Sequence, residues 1–266
     1  MMSVMNDPGP YDTSAPDLLL VQHRKFVQEL DKKKDTLEYW LTEHLRVDGG
    51  FGGHIHHDPH LVPTLSAIQA LFTYDRLDAI NVDKVVDYIV SLQNRNGSFS
   101  GDSSGQTDTR FIMCAVSCLS LLKRLDDARL NLEKTIEYTV RCRNFDGGFG
   151  SCPGGESHAE HALVCVGTLT ILRALQHINT DQLVWRLSER QQANGGLNER
   201  SEKLGDFILE AQAGGIADQA GDPDAYHTHF GIAGLSLLGY PGLVAVDPVY
   251  CMPRHVIQRI GLTDKH

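Results

Sequence analysis

The sequence predicts an all-α fold, an α/α toroid built from two concentric layers of helices, and three observations carry that expectation. The first is a glycine connector that recurs as Asp48-Gly49-Gly50-Phe51, Asn96-Gly97-Ser98-Phe99, Asp146-Gly147-Gly148-Phe149, Asn194-Gly195-Gly196-Leu197 and Ala213-Gly214-Gly215-Ile216. A period of this kind outranks other local signals, because it marks one structural unit laid down repeatedly. The second is an alternation between the connectors. Segments 60–77, 108–125 and 158–175 are apolar nearly all round, whereas 81–93, 131–142 and 179–192 are apolar on one face. A helix that is apolar on every side must be enclosed, and a one-sided helix can cover it with its polar face in water. The third is the position of the glycines, which lets the chain turn tightly from an outer helix to an inner one and gathers all connectors at one end. Periodicity alone would also allow an open solenoid.

At 266 residues and 41% apolar content the chain can bury a sizeable core. The repeat runs through nearly all of it, so residues 17–260 are expected to form a single domain, with 1–16 a disordered lead and 261–266 a tail. A net charge of -10 excludes nucleic acid as the main partner, since phosphate binding needs basic clusters. No run of 18 apolar residues is present, and a soluble, cytoplasmic protein without a membrane span is expected. The six cysteines lie mostly in apolar helical runs without a Cys-x-x-Cys pair, which suits reduced, buried thiols.

In chain order, 18–33 has an apolar stripe at helical spacing, and Asp35 can cap a helix over 36–46. After the first connector, His54, His56, His57 and His60 fall within seven residues. In a glycine-flanked surface loop, solvated histidines are the expected state rather than a metal site. The two-helix unit then repeats. Steps between the second glycine slots are 47, 51, 48 and 19 residues, measured from Gly50 through Gly97, Gly148 and Gly196 to Gly215. Nineteen residues cannot hold two helices, so about 29 are absent after Gly196 by comparison with the neighbouring steps.

These residues carry a resemblance. Cys142-Arg143-Asn144-Phe145-Asp146-Gly147-Gly148-Phe149-Gly150, the Glu156-Ser157-His158-Ala159 turn, Arg200 with Glu202-Lys203-Leu204, and His227-Thr228 leading into 230–239 are similar to the β subunits of protein prenyltransferases. Within that family, 57–61 and 247–253 resemble the Rab geranylgeranyl (type II) branch. The similarity covers roughly 15–260. Other users of α/α toroids, the terpenoid cyclases and thioester domains, carry an Asp-x-Asp-Asp or Cys-Gly-Glu-Gln motif that is missing here.

The resemblance implies transfer of a geranylgeranyl group from geranylgeranyl diphosphate to C-terminal cysteines of Rab GTPases. Its implied partners are a prenyltransferase α subunit, completing a heterodimer, and a Rab escort protein. It places His158, Arg200 and Lys203 on the diphosphate, and such cations suit a leaving group that gains charge as its C–O bond breaks. It also implies Zn2+ holding the substrate thiolate, with Asp206 and His227 as ligands and Asp224 behind the imidazole. The third family ligand, a cysteine two residues after the aspartate, is absent, because Asp206 is followed by Phe207 and Ile208. A second departure lies at the front, where Arg46-Val47-Asp48 runs straight into Gly49 and omits a helix pair that contributes aromatic side chains to the family's lipid pocket. The toroid therefore has fewer helix pairs than a full six-fold barrel. A non-catalytic or impaired isoform that keeps the partner-binding surfaces is the alternative reading.

Overall fold

The computed structural model describes residues 45–54, 56–190 and 225–262. The chain divides into two compact units, one of residues 36–189 with 255–266 and one of residues 1–35 with 190–254. The expected lead (1–16), the tail beyond 262 and the helices expected at 18–33 and 36–46 lie outside the described residues or nearly so.

In the first unit, six helices follow the alternation read from the sequence: α1 (Leu61–Thr73), α2 (Val82–Ser91), α3 (Thr109–Leu121), α4 (Leu132–Arg141), α5 (Ala159–Ile171) and α6 (Thr180–Arg190). Helices α1, α3 and α5 pack side by side, while α2 flanks α3 and α4 flanks α5. Of the three inner helices, α3 is enclosed as expected, with all but Arg110 and Met113 buried. By contrast, α1 and α5 leave Val62 and Leu163 exposed. The difference is positional, since α3 lies between two inner neighbours. On α2, Val85, Val86, Tyr88 and Ile89 face inward while the opposite side is polar.

Each outer helix starts at an Asn whose side chain accepts a backbone N–H three residues on: Asn81 from Lys84 at 3.2 Å, Asn131 from Lys134 at 3.0 Å and Asn179 from Gln182 at 3.0 Å. The inner helices end four residues before the sequence reading placed their ends. Asp75, Lys123 and Arg173 each turn into the left-handed region, at φ 57, 56 and 54°. Arg76, Arg124 and Ala174 then donate back to Leu71, Leu119 and Leu169 at 2.8 Å in each case. This closure usually calls for glycine. Without one, nothing in the sequence marked it.

The connectors stack the repeats. Leu45 bridges Phe51, Gln93 bridges Phe99 and Arg143 bridges Phe149, and all three phenylalanines are buried. The Leu61 N–H donates to the Gly101 carbonyl and the Thr109 N–H to the Ser151 carbonyl, both at 2.9 Å, so each of these inner helices is tied to the next connector. Gln93 clasps the following outer helix, with its Oε1 accepting from the Asn131 N–H at 2.9 Å and its Nε2 donating to the Asn131 carbonyl at 3.1 Å.

The residue seven beyond each Asn cap meets the connector beneath it. Tyr138 hydrogen-bonds Thr107. Tyr88 stands at the matching place on α2, but there Pro59 replaces the threonine, and the buried Tyr88 hydroxyl has no hydrogen-bond partner among the described residues. Burial, reinforced by the Asp48 and Asp102 carboxylates, pushes this hydroxyl well above the ordinary tyrosine range. An unmade buried hydrogen bond costs about 1–3 kcal/mol and a made one contributes about 1 kcal/mol. Tyr88→Phe should therefore stabilise the fold by about 1 kcal/mol or leave it unchanged, whereas Tyr138→Phe should cost about 1 kcal/mol. Urea midpoints of the two variants check the contrast, and equal losses would contradict it.

The second unit's described residues hold α7 (Ala225–Leu237) and a small antiparallel ladder of β1 (Val246–Asp247) with β2 (Met252–Pro253), the one departure from an all-α description; α8 (Arg254–Ile260) follows, almost all of it assigned to the first unit. Arg259 of α8 donates to the Phe72 carbonyl at the end of α1. All six cysteines are unpaired; Cys114, Cys118, Cys142 and Cys165 are buried as expected, Cys251 is half-buried, and Cys152 is exposed in a connector turn. Among the described residues no helix is long and apolar enough to cross a membrane.

Candidate functional site

The inner helices begin at the connector end with His60, Asp108 and His158, one equivalent position in three successive repeats. Two of the three are used up in capping. The Nδ1 of His60 accepts from the Val62 N–H at 3.1 Å, and Asp108 accepts from the Arg110 N–H at 2.8 Å. His158 makes no side-chain capping bond. Its imidazole is part-exposed, with Nε2 4.0 Å from Glu156 Oε2 and the ring edge-on to His161 at 5.8 Å between centroids. His161 itself is buried and engages Thr109 Oγ1 at 3.0 Å, fixing the neighbouring ring rather than the rim.

The turn that presents His158 is clamped from behind. Asn144 Nδ2 donates to the Gly155 carbonyl and to Ser157 Oγ, both at 2.8 Å. Ser157 Oγ donates to Asp146 Oδ1 at 3.0 Å, and the same carboxylate ion-pairs with Arg186 of α6. Arg186 Nη2 also reaches the Ser157 carbonyl at 3.1 Å, one residue before His158. The His158 N–H donates to the Phe149 carbonyl at 3.0 Å. Such a network holds a side chain in place without itself touching a ligand.

A further cation stands on the same rim and was not singled out from the sequence. Arg110, in the first turn of α3, is held in a fork by Asp108, with Nε at 3.0 Å and Nη2 at 2.9 Å. Its Nη1 lies 3.6 Å from Glu160 of α5, two residues after His158. The repeat register could have found it, since it lies two residues after the position that His158 occupies in the next repeat.

Of the other residues expected at the site, Arg200, Lys203, Asp206 and Asp224 lie outside the described residues. His227 falls in α7, and its side chain is likewise outside them. His229, on the same helix, hydrogen-bonds the Cys251 backbone. The four-histidine loop holds His54 and His57 with ring centroids 5.4 Å apart, and His60 is committed to its cap. Among the described residues no group of three His, Cys, Asp or Glu side chains could hold a metal ion.

The donor set for the expected Zn2+ is short. A catalytic zinc takes three protein ligands. Asp206 offers an oxygen and His227 a nitrogen, but Phe207 and Ile208 have no lone pair, and Cys251 is the one cysteine beyond Asp206. Of the three ligands that the resemblance implies, the sequence holds the aspartate and the histidine and has Ile208 at the cysteine position.

Comparison with known proteins bears on the whole chain. Residues 12–207 and 206–252 match the family described as "Prenyltransferase alpha-alpha toroid domain". The chain is 37% identical over 314 residues to the geranylgeranyl transferase type-2 subunit beta of Saccharomyces cerevisiae, covering 91% of this chain and 96% of that one. It is 39% identical over 121 residues to the geranylgeranyl transferase type-2 subunit beta 1 of Arabidopsis thaliana, covering 34% of this chain and 38% of the relative. Among solved structures, Candida albicans protein geranylgeranyltransferase-I complexed with GGPP superposes with a TM-score of 0.71 at 17% identity, covering 94% of this chain and all of that one, a likeness of fold. The yeast alignment exceeds this chain's 266 residues by 48, so at least that many of its positions have no residue here.

Proposed function

The chain belongs to the prenyltransferase α/α toroid family, among the relatives of geranylgeranyl transferase type-2 β subunits, and from that membership we propose an activity and a defect. The activity is that of the β subunit of a heterodimer that moves geranylgeranyl from geranylgeranyl diphosphate to C-terminal cysteines of Rab proteins. The defect is that this form binds the lipid diphosphate but carries out the transfer poorly. A helical-repeat α subunit and an escort protein that presents the Rab substrate complete the assembly, in the cytoplasm.

The observation that carries the reading is His158, presented on the connector rim by the Asn144, Asp146, Ser157 and Arg186 clamp. In the transfer, the allylic C–O bond breaks, its electron pair leaves on the diphosphate, and the substrate sulfur forms the new C–S bond. Cations held at the diphosphate stabilise that developing charge without reorganising. His158, Arg200 and Lys203 take this role, and Arg110, pre-oriented by Asp108, adds a guanidinium suited to phosphate oxygens. With Ile208 at the cysteine position, the residues matching the family's zinc site are expected to hold the ion weakly. The missing cysteine and the two omitted blocks favour the impaired form over a fully active enzyme.

Each charge-assisted contact to phosphate contributes about 1.5–3 kcal/mol. Arg200→Ala and Lys203→Ala should each weaken geranylgeranyl diphosphate binding roughly tenfold to a hundredfold, read with a fluorescent analogue. Unchanged binding in both would remove these residues from the site.

A further inference from the structure

Repeat register exposes a vacancy of a particular chemistry in the first connector. An offset of 98 residues carries Asp48 onto Asp146, Pro59 onto Ser157, the Asn81 cap onto Asn179, and Tyr88 onto Arg186. In the later repeat, Asp146 Oδ1 accepts from the Gly148 N–H at 2.9 Å, leaving its other oxygen to the Arg186 guanidinium, which also reaches the Ser157 carbonyl. In the earlier repeat, Asp48 Oδ1 likewise accepts from the Gly50 N–H, at 3.3 Å. The guanidinium is missing, because the residue in the arginine's place is Tyr88. Its hydroxyl is buried and has no partner among the described residues, although the side chain as a whole lines a cavity of about 390 Å3. Asp58, Asp87, Ser91 and Ser103 line the same cavity, and Asp87 is already paired with Arg129 at 2.7 Å.

We propose that this cavity takes an arginine side chain presented by a partner protein, its guanidinium meeting Asp48, Asp58 and the Tyr88 hydroxyl as Arg186 meets Asp146 within the chain. The ligand class follows from the internal precedent: one connector of this chain fills the position with its own guanidinium, and its counterpart two repeats earlier keeps the carboxylate, holds Asp58 where the later connector has Glu156, and omits the cation. Lone cations in water do not need such a site, but a fork of donors matches a carboxylate and a hydroxyl at fixed spacing. The proposal stands apart from the lipid and metal chemistry and does not depend on transfer activity.

The test titrates N-acetyl-arginine methylamide into the full chain by calorimetry, with the neutral citrulline counterpart as control. Saturable binding of the arginine probe, roughly tenfold or more tighter than that of the citrulline probe, is expected. Asp48→Asn should weaken it roughly tenfold while leaving the fold intact, since Asn96 serves at the same position of the second connector. Tyr88→Arg should fill the cavity from within, as Arg186 does, abolishing probe binding and raising the melting temperature. Equal binding of the two probes, or arginine binding that survives both substitutions, would overturn the proposal.

Discussion

Replacing Ile208 with cysteine should tighten zinc binding by about a hundredfold or more. A structural zinc site contributes about 10–16 kcal/mol across its ligands, so one thiolate accounts for several kcal/mol, and each 1.4 kcal/mol is about tenfold in affinity. Ile208 stands two residues after Asp206, at the spacing the family uses for its cysteine, and an isoleucine side chain has nothing to donate. The measurement is competition against a chromophoric chelator, comparing the unsubstituted chain with Ile208→Cys and with Ile208→Ser. Serine tests whether any polar atom suffices; only the thiolate should produce the large gain. Transfer activity should recover less than zinc affinity, because the resemblance implies that the front helix pair this chain lacks contributes to the lipid pocket. If the unsubstituted chain competes as well as Ile208→Cys, a third ligand is supplied from elsewhere and the two-donor count is wrong.

The second large effect concerns folding. Gly97 sits at φ +90°, and a Cβ there would collide with the Lys134 carbonyl in the first turn of α4. Two costs add. A non-glycine residue held at such a φ is strained by about 1–3 kcal/mol, and forcing two backbones apart in a packed contact costs about 1–3 kcal/mol more. Gly97→Ala should therefore destabilise the chain by about 2–6 kcal/mol in urea unfolding. Gly105 isolates the first cost, since its φ is +84° but nothing lies within 4 Å of the added atom. Gly105→Ala should lose about 1–3 kcal/mol. Equal losses at the two positions would mean that the close approach of connector to outer helix contributes nothing. The connector would then be a turn rather than the joint between repeats.

These two cases show what could be read from residues alone. The glycine connectors, the Asn caps of the outer helices and the alternation of helix types are local signals, each with its own physical cause, and the helices begin where those signals place them. The ends of the inner helices were less legible. Asp75, Lys123 and Arg173 adopt a glycine-like conformation because it lets the N–H of the following residue close the helix on a leucine carbonyl five residues before it, which outweighs their intrinsic preference. The small ladder of Val246–Asp247 with Met252–Pro253 was also hidden, being too short to show a period.

At the site, His158 opens α5 on the connector side, and its clamp was partly visible as the polar residues of the connector. Arg186 was not, since an arginine in the middle of an amphipathic outer helix reads as solvent-facing until the fold brings it under Asp146. Arg110 escaped for a similar reason: its value comes from Asp108 and Glu160, and Glu160 belongs to another helix. Tyr88 shows the limit from the other side. The sequence presents it as one more aromatic on an apolar face, and with Pro59 in place of a hydroxyl-bearing neighbour its oxygen has no partner among the described residues.

We propose that this chain is a type-2 geranylgeranyl transferase β subunit deprived of a zinc ligand. It is tested most directly by purifying the chain co-expressed with the α subunit, measuring bound zinc by atomic absorption, and assaying Rab prenylation on the same preparation with escort protein present. Well under one zinc per heterodimer, together with little transfer, is the expected result. One tightly held zinc with turnover near that of a complete enzyme would contradict it.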